Sequence, residues 1–141
     1  MAEPTADDTA VNTLLDVFHT AAATADEDAY FGAMTDDFVF VGTDATERWP
    51  RAEFEAFARP HFDKDSAWIY ESVERHVQFH GDVGWFDERL SNDKYGETRG
   101  SGVVVREGES WKVAQYVLSF PIPNDLAANV VAQIKAAAKK D

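Results

Sequence analysis

The segment SAWIYESVERHVQFHGDVGWFDERL, residues 66–90, decides the fold class predicted for this chain. Its first half is rich in aromatic and β-branched residues, which favour strands. Gly81 and Asp82 then form a two-residue turn of the kind that joins antiparallel strands, because glycine accepts the positive φ that such turns require. Residues 83–90 read as the returning strand. The sequence therefore predicts a β-hairpin over this segment.

Two further strands extend the hairpin into an antiparallel meander. Residues 91–96 are a loop, and residues 97–106 form a third strand, whose glycines indicate strong curvature or a close approach of the backbone. Residues 107–110 turn the chain again. A fourth long strand follows over residues 111–120, and it ends where Pro121 removes a backbone donor.

Before the hairpin, the apolar residues recur at the spacing of amphipathic helices. A short second helix is expected from Asp26 to about Thr35, and a short buried strand from Phe38 to Val41. A third helix starts near Pro50, and Pro60 is expected to strain or end it. The stripe of the first helix consists of Val11, Leu14, Leu15, Phe18, Ala21, Ala22 and Ala25.

A last helix is expected over residues 124–139, capped by Asn124 or Asp125. Its apolar stripe, which we expect to be buried, is Leu126, Val130 and Ile134. Helices thus precede a run of strands, which predicts an α+β fold with helices packed on one face of a curved antiparallel sheet. We expect residues 1–141 to form a single domain, with a core from about residue 8 to residue 124.

Charge and composition exclude several classes of function. The 141 residues carry 13 Lys and Arg against 26 Asp and Glu, a formal net charge of −13. Such a surface repels phosphate backbones and anionic lipids, so we expect no nucleic-acid or membrane partner. The absence of Cys excludes disulfides and thiolate chemistry. The first 15 residues lack the features of a signal peptide, and the expected location is the cytoplasm.

The hairpin turn also fixes which side chains share a face of the sheet. On the more apolar face, which we assign to the core, Arg75 lies opposite Glu88. That pair has two interpretations, a structural ion pair or the polar floor of a ligand pocket. The predicted inward set is Val73, Arg75, Val77, Phe79, Gly84, Phe86, Glu88 and Leu90. The outward set, which includes the pairs Glu74–Arg89 and His76–Asp87, is Glu74, His76, Gln78, Trp85, Asp87 and Arg89.

None of the four histidines has the spacing of a metal site, so neither a metal nor a cofactor is expected. His76 and His80 are four residues apart on a strand and cannot clamp one ion. His19 flanks the apolar stripe of the first helix, which favours a packing role. His61, beside Phe62, is either a helix-ending residue satisfied by backbone or a general acid or base.

Four stretches resemble the SnoaL-like proteins of the nuclear transport factor 2-like (ketosteroid isomerase-like) superfamily. They are DEDAYFGAMTDDFVFVGTD (26–44), PRAEFEAFARPHF (50–62), GDVGWFDERL (81–90) and RGSGVVVREGESWKVAQYVLSFPIPN (99–124). The resemblance implies a cone, in which a bent antiparallel sheet wraps around the N-terminal helices, encloses a pocket and often dimerises. It implies binding modules as well as cofactor-free isomerases, dehydratases and cyclases.

The steroid-isomerase residues of that superfamily are not matched, since Gly42 stands where the catalytic base is expected and Phe18 roughly where the tyrosine is. The candidate catalytic residues are therefore Glu88, His61 and Asp44, the last in the loop after the first strand. The resemblance adds two polar positions on the last strand, Gln115 and Ser119, which are either pocket groups or backbone partners. The candidate ligand-binding residues are Tyr30, Glu47, Trp49, Phe57, Arg75, Phe86, Gln115 and Ser119.

Three functions follow from these residues. The first is a domain that holds a small, partly apolar molecule in an aromatic pocket, as a homodimer. The second is a cofactor-free enzyme that transfers protons on a small carbonyl or hydroxylated substrate, with Glu88, His61, Asp44 or Glu47 as acid or base and Arg75 or Tyr30 stabilising an oxyanion. The third is an assembly module, with Trp85 and either Tyr116 or Val117 between subunits.

Overall fold

The computed structural model describes residues 5–139 and contains a six-stranded curved sheet with helices against its concave face. The strand order is β2-β1-β6-β5-β4-β3, and only β1 and β6 run parallel to each other. This confirms the predicted α+β class. The helices are α1 (Ala6–Ala23), α2 (Glu27–Gly32), α3 (Arg51–Phe62) and α4 (Asn124–Ala138). The strands are β1 (Met34–Val41), β2 (Arg48–Pro50), β3 (Glu71–His80), β4 (Val83–Asn92), β5 (Gly96–Glu107) and β6 (Ser110–Ser119).

Helix α1 starts with a capping box, in which the Thr5 hydroxyl accepts from the Asp8 N–H and the Asp8 carboxylate accepts from the Thr5 N–H. Its buried face matches the predicted stripe at Val11, Leu15 and Phe18, among others. Helix α2 is shorter than predicted and ends at Gly32. The chain leaves the helix there because the Val113 N–H donates to the carbonyl of Ala33 and β1 then pairs with β6.

Helix α3 follows β2, a three-residue strand that the sequence analysis did not predict. Pro60 lies in its last turn, and the helix ends only two residues later, at Phe62. The buried residues of α3 are Phe54, Ala58 and Phe62, which face the concave side of the sheet. The missing N–H of Pro60 therefore marks the end of this helix without interrupting its packing face.

The predicted hairpin register is confirmed along most of its length, with Arg75 opposite Glu88 and Val77 opposite Phe86. The prediction for Val73 was wrong. A β-bulge between Ser72 and Glu74 breaks the alternation, and the Val73 side chain is 63% exposed instead of facing the core. Residues 66–70, predicted as strand, form an irregular connection that packs over the helices.

The glycines of β5 allow the close approach that the sequence predicted. A side chain at Gly100 would overlap the hydroxyl of Tyr116, and one at Gly102 would overlap the carbonyl oxygen of Gln115. Because both positions lack a Cβ, β5 and β6 pack closely and the Tyr116 ring can cross β5 towards β4.

Helix α4 forms where expected, but the prediction that it buries an apolar stripe was wrong. Asn124 and Asp125 do not cap it either, because the N-cap is Pro123 and no side chain makes a capping hydrogen bond. None of its residues is buried, and Leu126 and Ile134 are 51% and 62% exposed. The chain reaches α4 through an extended segment that ends at Pro123, with φ −55° and ψ 138°. Pro121 and Pro123 favour such an extended connection.

Candidate functional site

A cavity of about 430 Å³ lies between α1, α3 and the concave face of the sheet. Most of its wall is aromatic, which is typical of sites for small, largely apolar molecules. The tyrosines of the wall are Tyr30, Tyr70, Tyr95 and Tyr116. Its other aromatic side chains, histidines aside, are Phe18, Phe40, Trp49, Phe54, Phe57 and Trp68.

Several of these rings are nearly parallel. Phe40 stacks on Phe54 with centroids 4.5 Å apart and an interplanar angle of 10°, and Trp49 stacks on Phe57 at 4.5 Å and 19°. Phe40 also lies within 11° of the plane of Tyr116. Rings that are stacked on each other leave their outer π faces for a flat molecule, and offset stacking is the arrangement that aromatic rings prefer.

A buried carboxylate lies behind one end of the cavity. The Oε2 atom of Glu88 is 2.7 Å from Nε2 of His19 and accepts a hydrogen bond from the Tyr116 hydroxyl at 2.7 Å. Its other oxygen accepts from Nε of Arg75 at 2.9 Å. Glu88 is 1% exposed and does not line the cavity, whereas His19 and Tyr116 do.

The electrostatics of this cluster keep Glu88 ionised. Burial alone would raise the pKa of Glu88, but the hydrogen bond and charge of His19, the charge of Arg75 and the Tyr116 hydroxyl together lower it to about 2. Burial, followed by the charge of Glu88, raises the pKa of Tyr116 well above its ordinary value. Near neutral pH, Glu88 is therefore a carboxylate and Tyr116 a protonated phenol.

Arg75 is anchored on the side away from the cavity. Its Nη1 atom donates to the carbonyl and side-chain oxygens of Asn12, both at 3.1 Å, and to Asp16 at 3.0 Å. Its side chain is 7% exposed and is not part of the cavity wall. Arg75 therefore fixes Glu88 to α1, in agreement with the ion-pair interpretation of the sequence.

The structure brings five of the predicted site residues to the cavity wall. Tyr30, Glu47, Trp49, Phe57 and His61 all line it. Burial raises the pKa of Tyr30, so its hydroxyl stays protonated. These residues come from α2, α3 and the segment around β2.

Other predicted site residues lie elsewhere. Asp44 is exposed in the loop before β2, where its carboxylate accepts from the N–H and hydroxyl of Thr46. Gln115 and Ser119 do not line the pocket, because β6 turns Tyr116 and Leu118 towards the cavity and its alternation sends these two residues to the outer face. The other interpretation holds for Ser119, whose hydroxyl donates to the backbone carbonyl of Arg99 at 3.4 Å. Phe86 is buried in the core beside Tyr116 and is not part of the cavity wall.

The sequence analysis missed His19 and Tyr116 as members of the site. His19 was assigned a packing role at the edge of the first helix, and Tyr116 appeared only as an interface candidate. One signal was available, because the predicted inward position of Glu88 implied buried partners for its charge. The identity of these partners, His19 and Tyr116, depended on how α1 packs against the sheet.

Two findings concern other possible sites. Within residues 5–139, no three or more His, Asp or Glu side chains are grouped so that they could hold a metal ion. None of the helices in the same part of the chain has the length and apolar character needed to cross a membrane.

The helices, the curved sheet and the cavity between them define a protein of nuclear transport factor 2-like fold. The chain belongs to the SnoaL-like domain family, whose model matches residues 11–123. Searching curated proteins gave no significant match.

Solved structures show the same fold. A candidate dehydratase of the nuclear transport factor 2-like family from Streptomyces avermitilis has 14% identity and a TM-score of 0.72, over 86% of this chain and 100% of that one. A nuclear transport factor 2-like protein of unknown function from Pseudomonas putida KT2440 has 16% identity and a TM-score of 0.69, over 85% of this chain and 90% of that one. At these identities, the likeness concerns the fold alone.

Proposed function

We propose that this protein binds a small, flat, largely apolar molecule in the cavity between the helices and the sheet. The observation that carries the proposal is the cavity of about 430 Å³ walled by near-parallel aromatic rings. Planar ligands gain from stacking on such rings beyond the burial of their area. The few polar side chains on the wall, such as His19, His61 and Lys94, would orient the ligand.

Tryptophan fluorescence tests this proposal, because two tryptophans line the cavity and a third, Trp85, lies on the outer face of the sheet. We expect 5-nitroindazole, a flat bicyclic probe, to quench the fluorescence of the protein in a saturable way. Replacing both Trp49 and Trp68 by Phe should remove most of that quenching. The proposal would be contradicted if the probe does not quench the fluorescence, or if quenching is lost in Trp85→Phe and kept in the double variant.

The matched control is Trp85→Phe, which makes the same chemical change on the opposite face of the sheet. It should leave the saturation curve of the probe unchanged, because Trp85 is 44% exposed and its indole N–H donates to Gln78. Comparing the variants separates binding inside the cavity from collisional quenching at the surface.

We also propose that the outer face of the sheet joins two copies of this chain. Its support is a group of apolar side chains that alternate outward from neighbouring strands, in a protein with a net charge of −13. The group is Val83, Trp85, Val103, Val105 and Val117.

Sedimentation velocity tests the homodimer. We expect the protein to sediment as a dimer at micromolar concentration and Trp85→Glu to sediment as a monomer, because the substitution buries a charge in the contact. The control is Val131→Glu, which places the same charge on exposed helix α4. A monomeric unmodified protein, or dissociation by the α4 variant alone, would refute this interface.

A further inference from the structure

We propose that the cavity selects a flat aromatic cation, such as an N-alkylated nitrogen heterocycle, and that Glu47 on its wall recognises the positive charge. This inference rests on the proposed binding function and adds a class of ligand to it. Its support is the way in which the chain places the carboxylate of Glu47 on an aromatic wall.

The side chain of Glu47 is held in a defined position by the loop between β1 and β2. Its Oε1 atom accepts a hydrogen bond from the Asp44 N–H at 3.0 Å, and its carbonyl accepts from the Gly42 N–H at 2.7 Å. A Cβ atom at Gly42 would lie 2.6 Å from Oε1 of Glu47. Because the φ of Gly42 is not positive, glycine serves here to leave room for the carboxylate, not to bend the backbone.

The charge of Glu47 is left without a partner. Among residues 5–139, its carboxylate has one hydrogen-bond donor, the N–H of Asp44 on Oε1, and it forms no ion pair. The second oxygen is therefore available to a ligand on a half-buried side chain. Glu88 differs in this respect, because it is buried behind the wall and paired with Arg75. A negative charge that the protein itself does not neutralise favours a positive ligand.

The aromatic rings beside Glu47 favour a cation for a second reason. The face of an aromatic ring is electrically negative, and it attracts a cation that lies within about 6 Å of the centroid. Trp49 follows Glu47 by two residues and stacks on Phe57, and both rings line the cavity. The wall already contains one such contact, since Nζ of Lys94 lies 5.1 Å from the centroid of Tyr95. A flat cation would gain from stacking and from charge attraction together.

The distribution of charge around the cavity agrees with this class of ligand. The net charge of −13 attracts cations and repels anions. Among residues 5–139, Lys94 is the only Lys or Arg that lines the cavity, and it is exposed in the loop between β4 and β5. Strands β1 and β6 lie between β2, which follows Glu47, and β5. The two charges are therefore on different sides of the cavity, and the side of Glu47 stays negative.

The test compares three flat bicyclic molecules of similar shape and different charge. They are 1-methylquinolinium, which is positive, 1-methylnaphthalene, which is neutral, and 1-naphthoate, which is negative. Equilibrium dialysis at physiological ionic strength, where charges farther apart than about 8 Å are largely screened, measures each Kd. We expect the cation to bind most tightly and 1-naphthoate to bind about tenfold or more weakly than the cation. Equal affinities, or tighter binding of either other compound, would overturn the inference.

The decisive variant is Glu47→Gln, which removes the charge but keeps an oxygen that can accept from the Asp44 N–H. It should weaken the binding of 1-methylquinolinium about fivefold, the upper end of what a partly exposed ion pair contributes. Its affinity for 1-methylnaphthalene should not change, which would show that the cavity is intact. An unchanged affinity for the cation would refute the role of Glu47.

The matched control is Glu109→Gln, which removes the same charge in the exposed turn between β5 and β6. It should leave the affinities for all three compounds unchanged, because it alters the net charge without altering the wall. If it weakens the binding of the cation as much as Glu47→Gln does, the attraction comes from the overall charge and the assignment of Glu47 is wrong.

Two further outcomes separate this inference from the proposed function. If 5-nitroindazole binds in the cavity but 1-methylquinolinium binds no more tightly than 1-methylnaphthalene, the recognition of charge is refuted and the binding function stands. If none of these compounds binds, the binding function fails and the inference fails with it.

Discussion

Replacing Glu88 by Gln is expected to lower the free energy of unfolding at neutral pH by about 3 kcal/mol, because removing one partner of a buried ion pair leaves the other charge uncompensated. In a domain of this size, the loss corresponds to a decrease in the melting temperature of about 10 °C. Arg75 would keep Asn12 and Asp16 as partners. Its Nε atom and Nε2 of His19, which now contact the Glu88 carboxylate, would face a neutral amide instead.

The pH dependence of stability gives an independent measure of the same interaction. The folded-state pKa of Glu88 is about 2, below its ordinary value of 4.5, so the fold favours the ionised form. The resulting stabilisation of about 3 kcal/mol is fully present above the unfolded pKa. It is lost as the pH falls from about 5 to about 2. Glu88→Gln should therefore flatten the stability curve over that interval.

The control is Glu97→Gln, which removes an exposed carboxylate that pairs with Arg89 on the same sheet. Exposed ion pairs contribute about 0–1 kcal/mol, so this variant should keep both the stability and the acid-dependent loss of the unmodified protein. Chemical denaturation at several pH values measures both effects. Equal curves for the unmodified protein and Glu88→Gln would show that the buried cluster does not stabilise the fold.

The second large effect is expected from Gly102→Ala, which should destabilise the protein by about 3 kcal/mol. The added methyl group would overlap the backbone carbonyl oxygen of Gln115 on β6 and also crowd the ring of Phe86. A clash with backbone cannot be relieved by a change of rotamer. Strands β5 and β6 would have to separate, which would displace Tyr116 as well.

Gly32→Ala is the matched control, because the added methyl group there would meet nothing within 4 Å apart from its chain neighbours and the backbone of its own helix. It lies at the end of α2 and should leave stability unchanged or raise it slightly, since alanine favours helices over glycine. Thermal unfolding of both variants checks the prediction. Similar melting temperatures would mean that β5 and β6 can adjust at little cost.

The interpretation of the hairpin from sequence was largely correct because its information is local. Gly81 fixes the turn, the turn fixes the register, and alternation then places Arg75 opposite Glu88 on the inner face. The exception was Val73, where a bulge adds a residue to one strand. Such a bulge changes the alternation without leaving a clear signal in residue composition.

The candidate site was predicted only in part. Trp49, Phe57 and His61 line the cavity. Phe57 and His61 lie beside the buried face of α3, whose inward direction the apolar periodicity predicts. The sequence left open whether Gln115 and Ser119 face the pocket, because their face depends on how β6 pairs with its neighbours, where a further irregularity shifts the register. The exposure of α4 was missed because helical periodicity identifies an apolar stripe without saying what covers it.

The sequence by itself determined the α+β class, the hairpin and its register, the family resemblance and the inward position of Glu88, because each depends on neighbours in the chain or on a periodic pattern. Only the tertiary structure brought His19 of α1 and Tyr116 of β6 to the same carboxylate oxygen. These residues are 97 positions apart. Their meeting is set by the packing of a helix across a curved sheet, which no local pattern of residues encodes.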